Sequence, residues 1–502
     1  MSFHGRPYKI MLCALALLLL CAAGQMERVL NADREAMGFA RLQPLQNAPP
    51  VLAFTTVALG GFRGLIANAL WLRMTELQED NKYFEMVQLA DWITKLQPRM
   101  VSGWEFLAWN MAYNISVKFK NPEDRWLWVE RGIELLRDQG LSYNTNQPDM
   151  YQQLSWIYMH KIGANLDDAH MTYKLHLAQQ MEQVFPDGHP NTNELEHPTD
   201  PLWQERVRKL REDFKMDPYE VAQVDKEYGP FDWRLPGAQA VYWAELGRIY
   251  GDKKDEEKLR REIFQTMRQY CFIGGGLPAG VTNITTDNFF LRPNLELIPT
   301  MSAIYEKMIA EEKDPNQVTS FKNAHKNFIK EAVPLLYVDG QEGKAEYWFN
   351  YLRKLYPNAF PPWEQNVDLE RFVVMEITDD TGSPDQYKVA DTLLGLINRE
   401  YLCLILGEED KAQNTHGLVR RIYDHYREQA DSNGDRLKIP DLKAMYLFAL
   451  NQLLDPNGPL SPYNRARLRT ELGLPAAGAP TLPQNFYQGQ TNVVHTTNNP
   501  AK

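Results

Sequence analysis

Residues 241–250 read VYWAELGRIY, and their spacing decides the fold. Trp243, Leu246, Gly247 and Tyr250 fall at i, i+3, i+4 and i+7, one face of an α-helix. A large ring, an aliphatic and a residue without a side chain have distinct uses on such a stripe. The ring fills the gap between two helices, and the glycine lets a partner helix come close. Two other stretches carry a looser version: Tyr151, Leu154, Ser155 and Tyr158, then Trp104, Leu107, Ala108 and Met111. A complementary pattern, Ala345, Phe349 and Pro357, ends on a proline that stops one helix so that the next can turn back.

Outward from this stretch, apolar residues recur at helical spacing from Gly64 to about Gly473, and strand-like alternation is scarce. The stripe Tyr83-Phe84, Val87, Ala90, Ile93 ends at Pro98. Trp126, Val129, Ile133 and Leu136 form another, preceded by Asn121-Pro122-Glu123-Asp124. Asn caps a helix, Pro suits its first position, and acids suit its first turn. Further helices are expected at 151–162, 168–185, 240–250, 255–270, 297–311, 317–337, 342–355, 386–406, 410–430 and 441–454. The expected fold class is all-α.

These motifs resemble the tetratricopeptide repeat, which opens its first helix with W-x2-L-G-x2-Y and carries Ala-x3-Phe and then Pro on its second. The chain looks like a degenerate member with an N-terminal hydrophobic helix, similar in layout to bacterial membrane-anchored proteins of that class. The resemblance implies an irregular helical-hairpin solenoid that presents a concave face to a protein partner. First-helix residues Asn110, Asn114, Gln152, Gln153 and Arg248 are the expected binding positions. The spacing departs from the family: Trp104 to Tyr151 is 47 residues and Tyr151 to Trp243 is 92, not multiples of about 34. Insertions at 187–236 and 272–296 must be loops or extra helices, so regular superhelical geometry is not expected.

Composition bounds the function. The 502 residues are 44% hydrophobic and 24% charged, enough apolar content for a large core. A net charge of -11 argues against nucleic acid, which needs a cationic face. Arg6 and Lys9 precede the apolar run Ile10–Gly24, as in an exported or membrane-anchored chain. The run fits a cleaved signal and a slightly short anchor equally well, and Leu20 is too large for a lipidation signal at Cys21. Either fate places the bulk of the chain outside the cytoplasm, most simply at a bacterial inner membrane. A second apolar stretch, Val51–Leu72, is interrupted by Arg63 and Asn68. It reads as entry into the soluble domain, with Leu65, Leu70 and Trp71 joining the core. The expected organisation is 1–25 leader or anchor, 26–63 linker, 64–360 helical repeats, 361–473 a C-terminal helical region and 474–502 a disordered tail.

Signals for chemistry are weak. His170 and His176 are six apart and share no helical face as an i,i+4 pair would. His189 and His197, with Asp187, Glu194 and Glu196, match no ligand framework and read as a solvated loop. Asp431-Ser432-Asn433-Gly434-Asp435 opens like a calcium loop, but Arg436 and Leu442 stand where glycine and the closing acid belong. Gly274-Gly275-Gly276 lacks the Lys-Ser/Thr of a phosphate cradle. Cys271 and Cys403 read as buried thiols. No catalytic set, metal or cofactor is expected, and the chain reads as a non-enzymatic scaffold. The contrasting class is an extracytoplasmic glycan-processing or glycan-binding α/α toroid, whose sugar-stacking rings would come from Trp92, Trp104, Trp109, Trp126, Trp128, Trp156, Trp233 and Trp243. Their helical spacing assigns those rings to the core.

Overall fold

The computed structural model describes residues 62–251, 256–360, 367–378, 386–433 and 439–475, with isolated positions between 14 and 29. Among the described residues every regular element is helical, and the sole β contact is an isolated bridge between Gly276 and Arg292. The chain forms two compact units, residues 1–103 and 104–502. No described helix is long and apolar enough to cross a membrane. The Ile10–Gly24 run and the disordered-tail expectation lie largely outside the described residues.

In the first unit, α1 (Phe62–Glu79) and α2 (Tyr83–Leu96) form a hairpin turned at Asn81, whose φ is 58°. Ala67, Met74 and Leu77 on α1 are buried, as are Met86, Ala90 and Ile93 on α2. Leu65 does not join the core: it is 65% exposed. It projects from the face opposite Ala67 and Met74, because helical geometry allows only one stripe inward.

The second unit begins within α3 (Val101–Trp109) and continues through α4 (Pro122–Glu134), α5 (Pro148–Trp156), α6 (His170–Glu182), α7 (Thr192–Glu196), α8 (Pro201–Glu212) and α9 (Pro218–Tyr228). Then come α10 (Pro236–Tyr250), α11 (Glu256–Phe272), α12 (Ile298–Glu311), α13 (Pro315–Val338), α14 (Glu342–Leu355) and α15 (Leu369–Thr378). The last are α16 (Gln386–Leu406), α17 (Glu409–Asn433), α18 (Leu442–Leu454) and α19 (Pro462–Glu471). Five of these start alike. Asn121, Asp200, Asp217, Asp314 and Ser461 accept a backbone N–H at the helix mouth, and proline follows each. The cap satisfies a donor the helix leaves orphaned, and proline has no N–H to orphan.

Helix α10 is the centre of the packing. All of Pro236–Gly247 is buried, and the helix contacts α5 and α11. A Cβ at Gly247 would lie 2.7 Å from Tyr151 Cβ and 3.1 Å from Leu259 Cδ1, so the glycine permits this approach. Trp243 and Leu246 are buried beside it, whereas Tyr250 points out and donates to Glu220 at 2.7 Å. Gly251 faces Pro148 while Gly247 faces Tyr151, so α10 and α5 run antiparallel. Corresponding helices of successive repeats would be parallel, since a small rotation relates them. The irregular 92-residue spacing therefore has an irregular packing behind it. Helices α3 and α5 do run parallel: Tyr113 meets His160, and near the other end Glu105 is raised by burial and by the Asp149 charge.

The two insertions are pinned together. Arg234 pairs with Asp232 at 2.7 Å and donates to the carbonyls of Pro186 at 3.1 Å and Val281 at 2.7 Å. One buried guanidinium thus ties the 187–236 insertion to the 272–296 insertion, satisfying carbonyls that would otherwise be stranded.

Candidate functional site

Helices α3 and α5 each lead into a π-helical segment, Asn110–Ile115 and Ile157–Gly163, and α4 into a third, Leu135–Gly140. A π turn re-aims the side chains it carries, and such turns gather at functional sites. Here the first two carry Tyr113, His160 and Lys161. Trp109 stacks on Tyr113 with ring centroids 5.5 Å apart, Tyr113 meets His160 at 5.8 Å, and His160 stacks on Trp156 at 4.7 Å. The result is a ladder of four rings across two parallel helices. Trp109 is 39% exposed, and the other three are partly exposed.

A buried ion pair fixes the ladder from below. Lys161 reaches Asp167 at 2.5 Å, and its Nζ lies 5.2 Å from the Tyr113 ring centroid and 5.7 Å from that of Tyr173. Asp167 also accepts from Arg125 at 3.2 Å, the Tyr173 hydroxyl at 3.2 Å and the Ala169 N–H at 2.9 Å. Burial pushes the Asp167 carboxyl upward, but Lys161 and the Ala169 N–H outweigh it and hold it at about 2. His160 is lowered by burial and by the Lys161 charge, so the ladder holds a neutral imidazole at pH 7. Lys174, nearly sealed, donates to Asn165 at 2.8 Å and sits 2.8 Å from His170 Nδ1, and burial lowers it to about 8. Asp167 thus balances Lys161 and Arg125, while the Lys174 partners are the neutral Asn165 and His170.

The expected binding residues fall in different places. Asn110 is fully buried and donates to the Phe106 carbonyl at 2.7 Å, while Asn114 donates to Asn110 at 2.6 Å. Those two touch. Gln152 and Gln153 are partly exposed on α5, one turn before Trp156. Arg248 is committed to its own hairpin: Glu245 holds it at 2.7 and 2.5 Å and Glu256 at 3.3 Å. The sequence signal for the ladder is the pair of i,i+4 contacts Trp109/Tyr113 and Trp156/His160, which gives each half but not that the halves meet.

A cavity of about 230 Å³ is lined by Trp126, Glu130, Glu134, Arg137, Tyr158 and Gln180, among others. Arg137 is spent on Asp138 at 2.5 and 3.0 Å. Burial, then the Glu130 charge, raises the Glu134 carboxyl. Glu130 and Glu134 stand one turn apart on α4, and Asp213, which follows α8, also lines the cavity. Of the eight named tryptophans, Trp104, Trp126, Trp233 and Trp243 are buried.

Other sequence candidates have ordinary partners. His189 Nδ1 lies 3.0 Å from the Phe231 carbonyl, and Glu194 accepts from Thr199 Oγ1 at 2.8 Å. Among the described residues no three His, Cys, Asp or Glu side chains are grouped to hold a metal. Asp431–Asn433 close α17, and the remainder of that calcium-like stretch, Gly434 and Asp435, lies outside the described residues. Cys271 and Cys403 are buried free thiols. No family model matches the chain, and no curated protein or solved structure matches it.

Proposed function

We propose that the chain is a non-enzymatic scaffold of the bacterial cell envelope, a degenerate tetratricopeptide-like array tethered to or exported across the inner membrane. It binds another protein through the ring ladder on α3 and α5. The observation that carries this reading is the ladder itself: four stacked rings, rigidly backed by a buried ion pair, left partly open to solvent. Preordered aromatic surface loses little conformational entropy on binding, and rings of this kind dominate interface energetics. Gln152 and Asn114, partly exposed, add polar rim.

The test replaces Trp109 or Trp156 with a photo-crosslinking phenylalanine in the full chain in its native membrane. Leu166, 73% exposed, is the control position. Discrete protease-sensitive adducts at both ladder positions and none at Leu166 are expected. Equal adducts at all three positions overturn the reading. Adducts removed by glycan digestion instead of protease replace it with the glycan-binding alternative.

A further inference from the structure

His325 on α13 is fully buried, and both of its ring nitrogens are engaged by hydroxyls from other elements. Nε2 lies 2.9 Å from Ser302 Oγ on α12, and Nδ1 lies 3.0 Å from the hydroxyl of Tyr356, which ends α14. Tyr305, also on α12, stacks on the imidazole at 5.2 Å with planes 18° apart. Tyr351 on α14 stands 6.4 Å away, ring to ring. One side chain therefore joins three successive helical elements.

A neutral imidazole offers one donor and one acceptor, and a hydroxyl can be either. Each nitrogen thus finds its complement whichever tautomer forms. A second ring proton changes that. Both nitrogens become donors, so the hydroxyl that had been donating to the ring must turn to accept, and a full charge sits on a fully buried ring.

Glu306 is the carboxylate that favours the charged ring, but it acts at one remove. Ser302 Oγ lies 3.3 Å from Glu306 Oε1, and Tyr351 already donates to the same oxygen at 2.5 Å. The titratable groups facing His325 are Tyr305 and Glu306 from α12, Tyr351 from α14, and Tyr356 after it. Burial outweighs Glu306 and lowers the imidazole from 6.5 to about 4.

We infer that His325 is an acid-released pin: while neutral it ties α12, α13 and the end of α14 together, and a second ring proton loosens that joint. The folded value lies below the unfolded one, so the unfolded state takes up the proton first as pH falls. The stability is full above about 6.5 and is lost progressively as pH drops toward about 4.

The experiment is hydrogen exchange on the full chain at pH 7.5 and 5, corrected for intrinsic rates. Opening of α12 and α14 should rise about thirtyfold at the lower pH, the factor that these two pKa values imply, while α10 serves as reference. His325→Gln keeps a donor and an acceptor without titrating and should abolish the pH-dependent rise. An equal rise in the variant, or a rise shared by α10, overturns the inference. Should that variant not fold, NMR of the wild-type ring decides: neutral at pH 5 supports the pin, and titration near 6.5 removes it.

Discussion

Helices α10 and α1 are built from similar material and meet opposite surroundings. They run 15 and 18 residues, and each carries a tryptophan among small and aliphatic residues. Yet α10 is buried continuously from Pro236 to Gly247, while Leu65, Ile66 and Leu72 of α1 stand exposed. The difference lies in neighbours. Among the described residues α10 packs against both α5 and α11, and α1 is paired within its unit by α2. An apolar side chain contributes only where a second surface removes it from water. Trp243→Ala should therefore cost about 3–5 kcal/mol in equilibrium denaturation. Leu72→Ala, at a position 70% exposed, should change stability by less than about 0.5 kcal/mol. Equal losses would erase the distinction between the two helices.

That distinction also marks what the sequence could tell. The stripe at Trp243, Leu246 and Gly247 is legible because three separate constraints, size, smallness and helical phase, meet in three positions. The Asn121-Pro122 start was legible because capping chemistry is local. Leu65 departs from the expected core because hydropathy says which residues prefer burial, not which face of a helix meets a neighbour. Helical register of the first helices predicts Asn110 on the exposed face. It is buried because its π-helical turn lets the side chain bond Phe106 and Asn114. The ladder needed two helices to be adjacent and parallel, a tertiary fact that a 47-residue spacing does not encode. The antiparallel seating of α10 on α5 is hidden for the same reason.

Polar contacts repeat the contrast. Lys161–Asp167 has side chains 4% and 8% exposed, whereas Arg73–Glu76 on α1 has 57% and 65%. Breaking a buried pair strands a charge, and an exposed pair is replaced by water. Asp167→Asn should cost about 3 kcal/mol at pH 7, and Glu76→Gln should leave the denaturation midpoint unmoved. The pH dependence has a definite sign. Asp167 is held at about 2 against 3.8 in the unfolded chain, so its contribution is complete above about 4 and lost as pH falls through about 2. Wild type should lose this increment in acid and the asparagine variant should not. Parallel acid curves would show that the pair does not anchor the ladder.

The smallest effect is the sharpest, because one substitution should change sign between the two helices. Alanine outranks glycine in helix propensity by up to about 1 kcal/mol, less in a first turn. At Gly64 in α1 the nearest atom to a new Cβ is Gln97 Nε2, 3.4 Å away at the end of a flexible side chain. The propensity gain survives there, and Gly64→Ala should stabilise by about 0.5 kcal/mol. At Gly247 the new Cβ would meet Tyr151 Cβ at 2.7 Å, an atom fixed to the α5 backbone, so the helices must move apart. Overpacking then exceeds propensity, and Gly247→Ala should destabilise by about 1–2 kcal/mol. If both alanines stabilise, the close approach of α10 to α5 is not what holds this interior together, and the glycine in VYWAELGRIY loses its structural meaning.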